Sequence, residues 1–208
     1  MLEPRQVDVA PERLLGWLDR FQASHGEIRW STEDASTYVV AAADGAWAAL
    51  TSWKSVDGIP PDLAVWSQSP WRLGVLLIRR GGYAVGVAHG QTLVAHKCGT
   101  KYVQGRTAAG GQSQQRFARR RANQADDLVK AATAKAAEIF AGEKFDAFVV
   151  GGDKALISRA TEHDGLKHMV GMPTREFYDV ADPRFTVLND VARRARAVRV
   201  TVSNAPTM

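Results

Sequence analysis

The chain has 208 residues, 45% of them hydrophobic and 24% charged, with a net charge of +5, enough apolar content for one large core or one core with a small appendage. Its single cysteine, Cys98, excludes a disulfide framework and a cysteine-built zinc site. No apolar run opens the chain and none is long enough to span a bilayer, so a soluble, cytoplasmic protein is expected, with no membrane association.

Pro11 opens a predicted helix of about 13 residues, with Leu14, Leu15, Leu18 and Phe21 on one face and Gly26 beyond its end. Strand-like runs follow at 27–31, 37–43 and 46–53, the last two joined by Asp44-Gly45, a tight-hairpin signal. All six tryptophans (17, 30, 47, 53, 66 and 71) fall in this part, where core packing explains them better than base stacking. Residues 54–70, with Gly58, Pro60, Pro61 and Pro70, read as a linker. Residues 1–70 are therefore predicted to be a small α+β segment, a helix plus a hairpin.

From Trp71 the pattern changes. Residues 73–78, 83–88 and 92–95 predict a three-stranded meander with a turn at Gly81-Gly82, and a loop rich in glycine and Lys/Arg spans 99–113. A helix is expected over 114–141, with Phe117, Ala125, Leu128, Ala132, Ile139 and Phe140 on its buried side and Gly142 as its stop. A buried strand at 146–150 leads through Gly151-Gly152 into a short helix at 154–160. A helix at 183–195 and a strand at 198–202 close the chain. The expected fold class is α/β, a mixed sheet with flanking helices over 71–203.

The charge is unevenly placed. Residues 1–62 hold ten Asp/Glu and five Lys/Arg, residues 63–125 hold ten Lys/Arg and no acid, and residues 126–208 balance twelve against twelve. An acid-free basic block flanked by ordinary sequence favours a phosphate backbone as partner.

Within that block, Gly110 and Gly111 permit a close backbone approach to a ligand, and Gln112 follows with an N–H and a neutral amide. An amide is no general base near neutral pH, but it positions water and stabilises a developing oxyanion or leaving hydroxyl. The triplet alone is weak, and its context strengthens it. Arg116, Arg119 and Arg120 share a helix face, where they repel one another, in the first turns, where the helix dipole disfavours cations. The nearest following carboxylates are Asp126 and Asp127. Local rules broken without local compensation point to phosphate contact.

The run Gly110-Gly111-Gln112-Ser113-Gln114-Gln115-Arg116-Phe117-Ala118-Arg119-Arg120-Arg121 resembles the catalytic loop and following helix of eukaryotic and archaeal class I translation release factors. With Lys97, Lys101, Tyr102 and Arg106 ahead of it, it is also similar to the release-factor-like domain of the Vms and ankyrin-zinc-finger peptidyl-tRNA hydrolases of ribosome quality control, a bacterial branch being the nearest match. The resemblance spans residues 71–202 and implies a ribonuclease-H-like mixed sheet, the second domain of a release factor. It implies insertion of the loop into the peptidyl transferase centre of the large ribosomal subunit and hydrolysis of peptidyl-tRNA. Gly110 and Gly111 would shape the loop, and Gln112 would coordinate water or the leaving 3′-hydroxyl. Gln114 is a possible substitute, because quality-control relatives often place the glutamine one residue later. Lys97, Lys101, Arg106, Arg116, Arg119, Arg120 and Arg121 would contact ribosomal RNA or tRNA, with no metal and no cofactor.

The acidic segment 1–70 is a poor codon reader, so the implied role is codon-independent release of stalled chains. A non-catalytic ribosome or RNA binder is the alternative, and a metal-dependent nuclease a remoter one, since the meander carries no carboxylate. His25, His89, His96, His163 and His168 lack metal-ligand spacing. Cys98 beside Lys97 has no His or acid partner at suggestive spacing, and Gly151-Gly152-Asp153 reads as a strand-to-helix turn rather than a phosphate loop.

Overall fold

The computed structural model describes residues 3–59, 61–68, 70–101, 112–169 and 171–204. Strand β1 spans Arg5–Val9, pairing with a later strand of the chain, and a 3-10 turn over Pro11–Arg13 leads into α1 (Leu14–His25). Leu14, Leu18 and Phe21, one helical face, are buried, each contributing about 1.5–3 kcal/mol. Strands β2 (Ile28–Asp34), β3 (Thr37–Ala42) and β4 (Trp47–Thr51) pair in sequence, β3 and β4 forming the expected hairpin. The Asp44-Gly45 turn closes through Ala42 N–H to Ala46 O at 2.8 Å and Ala46 N–H to Asp44 Oδ1 at 2.9 Å.

The stretch read as a linker is instead packed. Asp62 caps α2 (Leu63–Ser67) by accepting from Val65 N–H at 3.1 Å, and Leu63 and Trp66 are buried in the first core. The buried Tyr38 hydroxyl donates to Asp57 O at 2.9 Å, and Trp66 Nε1–H donates to Lys54 O at 3.0 Å. Prolines and glycines signal irregular backbone, but two apolar anchors suffice to hold it against a core.

The second sheet begins with β5 (Arg72–Arg79), β6 (Gly81–His89) and β7 (Thr92–Lys101). Then come α3 (Gln112–Phe140), β8 (Ala147–Gly152), α4 (Lys154–Thr161), a 3-10 segment at Asp164–Met169, β9 (Thr174–Phe177) and α5 (Phe185–Ala195). The strand order is β7-β6-β5-β8-β9, antiparallel on the β7 side and parallel from β5 to β9. This is the mixed α/β sheet that the pattern predicts. Strand β5 is buried on both faces, which is why it reads as a continuous apolar run. Leu76, Ile78, Val85 and Val150 face α3 and α4, and on the opposite face Gly86 leaves room for Leu188 of α5.

The turn Gly151-Gly152-Asp153 is the strand-to-helix cap expected of it. Gly152 has φ +105°, and the Asp153 carboxylate accepts from Ala155 N–H at 3.0 Å and Leu156 N–H at 3.3 Å. Two other elements differ from expectation. Strand β7 continues to Lys101, and α3 starts at Gln112. Phe117, Ala125 and Ile139 are half-buried, and Leu128 is the first buried residue of α3 among those described.

The closing strand β10 (Val198–Ser203) pairs with β1 and β4, in a first sheet ordered β1-β10-β4-β3-β2, antiparallel throughout. By Cα proximity the chain divides into Met1–Trp71 with Arg193–Met208, and Arg72–Ala192. Strand β10, expected with residues 71–203, thus pairs in the first sheet. Val198, Val200 and Val202 are buried against the first core, and a strand pairs where its inward face finds apolar cover, whatever its place in sequence.

Candidate nucleic-acid interface

Strands β5, β7, β8 and β9 all end on one side of the second sheet, and from that side β7 leads out of the sheet. Its last residue, Lys101, pairs across the ladder with Gly81, so the Arg79-Arg80 turn lies beside the exit. Arg80 Nε stands 3.6 Å from Asp153 Oδ2, and Arg79 donates to the Val180 carbonyl. These two arginines, just ahead of Gly81-Gly82, were visible in sequence as a basic pair but carried no site signal of their own.

Gly110, Gly111 and Arg106 lie outside the described residues, as do Tyr102 and the side chains of Gln112 and Gln114. The backbone of Gln112 is the first residue of α3. Its N–H is thus among the first four of the helix, which have no acceptor within it. The positive end of the helix dipole lies there as well.

Gln115, Arg116, Arg119 and Arg120 are exposed and Arg121 is half-buried. With a rise of 1.5 Å per residue, the turns ahead of Gln124 carry Gln112 about 18 Å from the packed part of α3. The two acids following the cluster are engaged elsewhere. Asp126 pairs with Arg159 of α4, and Asp127 lies 3.9 Å from Lys101, whose Nζ also donates to the Asp127 carbonyl at 3.3 Å. Among the described residues no carboxylate pairs with Arg116, Arg119, Arg120 or Arg121. The structure thus brings Lys101 to α3 and keeps the arginines free of acids, while Lys97 stands exposed on β7.

Cys98 is half-buried, and burial pushes its thiol up from the ordinary value, with Lys97 opposing that more weakly. It is not an activated nucleophile. Among the described residues no group of three or more His, Cys, Asp or Glu is placed to hold a metal ion, and no helix is long and apolar enough to cross a membrane.

The sequence profile of one family, Actinobacteria/chloroflexi VLRF1 release factor, matches residues 71–201. Among curated proteins none matches the chain. Among solved structures the chain is similar to the "Vms1 mitochondrial localization core", with TM-score 0.47 and 10% identity over 94% of this chain and 84% of that one. It is similar to the archaeal translation termination factor aRF1 with TM-score 0.40 and 15% identity, over 89% of this chain and 53% of that one. For Archaeoglobus fulgidus Pelota the values are 0.36 and 11%, over 93% and 65%. The chain thus spans about half the length of the archaeal factor.

Proposed function

The chain belongs to the Actinobacteria/chloroflexi VLRF1 release-factor family, and we propose from this that it is a codon-independent peptidyl-tRNA hydrolase, freeing nascent chains from stalled ribosomes or large subunits. The observation that carries the reading is the start of α3, where Gln112 opens a helix whose exposed arginines have no acid partner among the described residues. The partner is the RNA of the large subunit, and the substrate is the ester joining the peptide to the tRNA 3′-oxygen.

In the proposed reaction water attacks the ester carbonyl carbon and the bond to the 3′-oxygen breaks. One of the water's protons ends on the leaving 3′-oxygen, the other is released to solvent, and the peptide departs as its carboxylate. Gly110 and Gly111 allow the backbone close to that bond. The N–H of Gln112, without an acceptor inside the helix, donates to the oxyanion or the leaving oxygen, and its side-chain amide orients the water. Arg116, Arg119, Arg120 and Arg121, with Lys97, Lys101 and Arg106, neutralise phosphates as α3 enters RNA. Codon independence is supported by the first unit, which lacks the basic excess that contact with decoding RNA demands.

The test is peptide release from purified large subunits carrying labelled peptidyl-tRNA. Wild type releases peptide, Gln112→Ala lowers the rate about 10²–10³-fold with binding retained, and Gln114→Ala stays near wild type. Full loss in Gln114→Ala alone moves the role to Gln114. The paired change Arg116→Glu and Arg119→Glu weakens subunit binding and flattens its salt dependence. A wild-type protein that binds subunits and releases nothing is the non-catalytic binder instead.

A further inference from the structure

Strand β7 is an edge strand, paired only with β6. Strand alternation puts His96, Cys98 and Thr100 on the face opposite Lys97 and Lys101. On that face Phe185, the first residue of α5, is 48% exposed, and its ring centroid lies 4.8 Å from that of the exposed His96 at an interplanar angle of 49°. A cavity of about 510 Å³ opens here, bounded by residues 96–100 of β7 and by Pro183, Arg184 and Phe185. Its charged lining residues are Lys97 and Arg184, and it contains no carboxylate. Asp182, close by in sequence, lines a different cavity with Arg79 and Arg80.

We propose that this edge is a second RNA contact, separate from the α3 arginines, in which an unpaired base stacks on Phe185 beside His96 while its phosphate meets Arg184. An exposed aromatic pair beside Arg184, in a lining free of acids, matches a π-faced, anionic ligand. The volume falls within the range of roughly 300–1,000 Å³ typical of small-ligand sites, which suits one or two nucleotides. An extended peptide would use the edge amides of β7, but nothing in the cavity selects for a peptide, whereas Arg184 selects for phosphate. The same strand precedes the Gly110-Gly111-Gln112 tip in sequence. The inference rests on the proposal that this tip enters RNA.

Cys98, the sole cysteine of the chain, lines the cavity and reports on it directly. The full chain is alkylated with iodoacetamide, with and without an unstructured adenine-rich decaribonucleotide. RNA slows modification several-fold. Phe185→Leu, which keeps apolar volume and lacks the π face, raises the RNA concentration needed by about tenfold or more, and Phe185→Tyr restores it. Thermal melting of each variant separates lost stacking from lost folding.

Equal protection in wild type and Phe185→Leu overturns the proposal. So does protection by a neutral extended peptide but not by RNA, or protection lost only when Arg116 and Arg119 are reversed. Peptide release is followed in parallel: release without RNA protection sinks this inference alone, and protection without release sinks the hydrolase reading alone.

Discussion

Gln112 and the arginines after it stand out by residue type, because a glycine pair, an amide and cations without nearby acids in the first turns of a helix conflict with ordinary helix chemistry. Sequence could not show that Asp126 and Asp127 are engaged by Arg159 and Lys101, since those partners lie on α4 and β7. The same limit applies to Cys98, whose neighbour Lys97 suggests activation while burial, a tertiary property, raises the thiol. Glycines show how local and tertiary demands separate. Gly142 has φ +77° with nothing within 4 Å of an added Cβ, whereas Gly152 has φ +105° and a Cβ there would collide with the Ile78 carbonyl. Gly142→Ala should destabilise by about 1 kcal/mol from backbone strain. Gly152→Ala adds overpacking and should exceed about 2 kcal/mol, read as a drop in melting temperature at least twice as large.

At the scale of elements, α3 combines two helices of different kinds. Its C-terminal half buries Leu128, Val129, Ala132, Ala136 and Phe140 against the sheet, and its first turns bury no residue among those described. Ala122 and Ala134 are both exposed, and proline at either removes a helical hydrogen bond and clashes with the preceding turn, a penalty of about 3 kcal/mol. Ala134→Pro should lower the global unfolding free energy by that order. Ala122→Pro should leave thermal melting nearly unchanged and reduce peptide release severely, because it bends only the part that presents Gln112. If both lower melting equally, the first turns are part of the packed core. Periodicity placed α3, β5 and β8 well, since each buries a regular stripe or a whole run. It missed the later half of β7, all of β1 and β9, and α2. The first three are sheet-edge segments whose pairing comes from a neighbour's backbone rather than their own side chains. The fourth is one turn anchored by Leu63 and Trp66.

For the whole molecule, the pairing of β10 redistributes charge. Residues 193–208 bring Arg193, Arg194, Arg196 and Arg199 and no acid to the first unit, leaving it ten Asp/Glu against nine Lys/Arg, whereas residues 72–192 hold eighteen Lys/Arg against twelve Asp/Glu. The acidic excess read along residues 1–62 is therefore nearly cancelled in the fold, and the net positive charge resides in the unit that carries α3. Arg196 is buried, with Glu12 at 3.1 Å and Gln68 at 3.5 Å, tying the closing segment to two distant parts of the first unit. Deleting residues 198–208 should remove an interior strand between β1 and β4 and expose the first core. All six tryptophans lie in residues 1–71, so their fluorescence should shift to the red while amide protection in β5, β6 and β8 persists. Loss of protection in both sheets would show that they fold as one cooperative unit. Sequence alone determined the α/β class of the second unit, the basic block and the Gly110-Gly111-Gln112 tip, because these depend on periodicity, composition and local chemistry. Only tertiary structure decided where β10 pairs, which acids neutralise which cations and where aromatic rings meet, because each joins residues far apart in the chain.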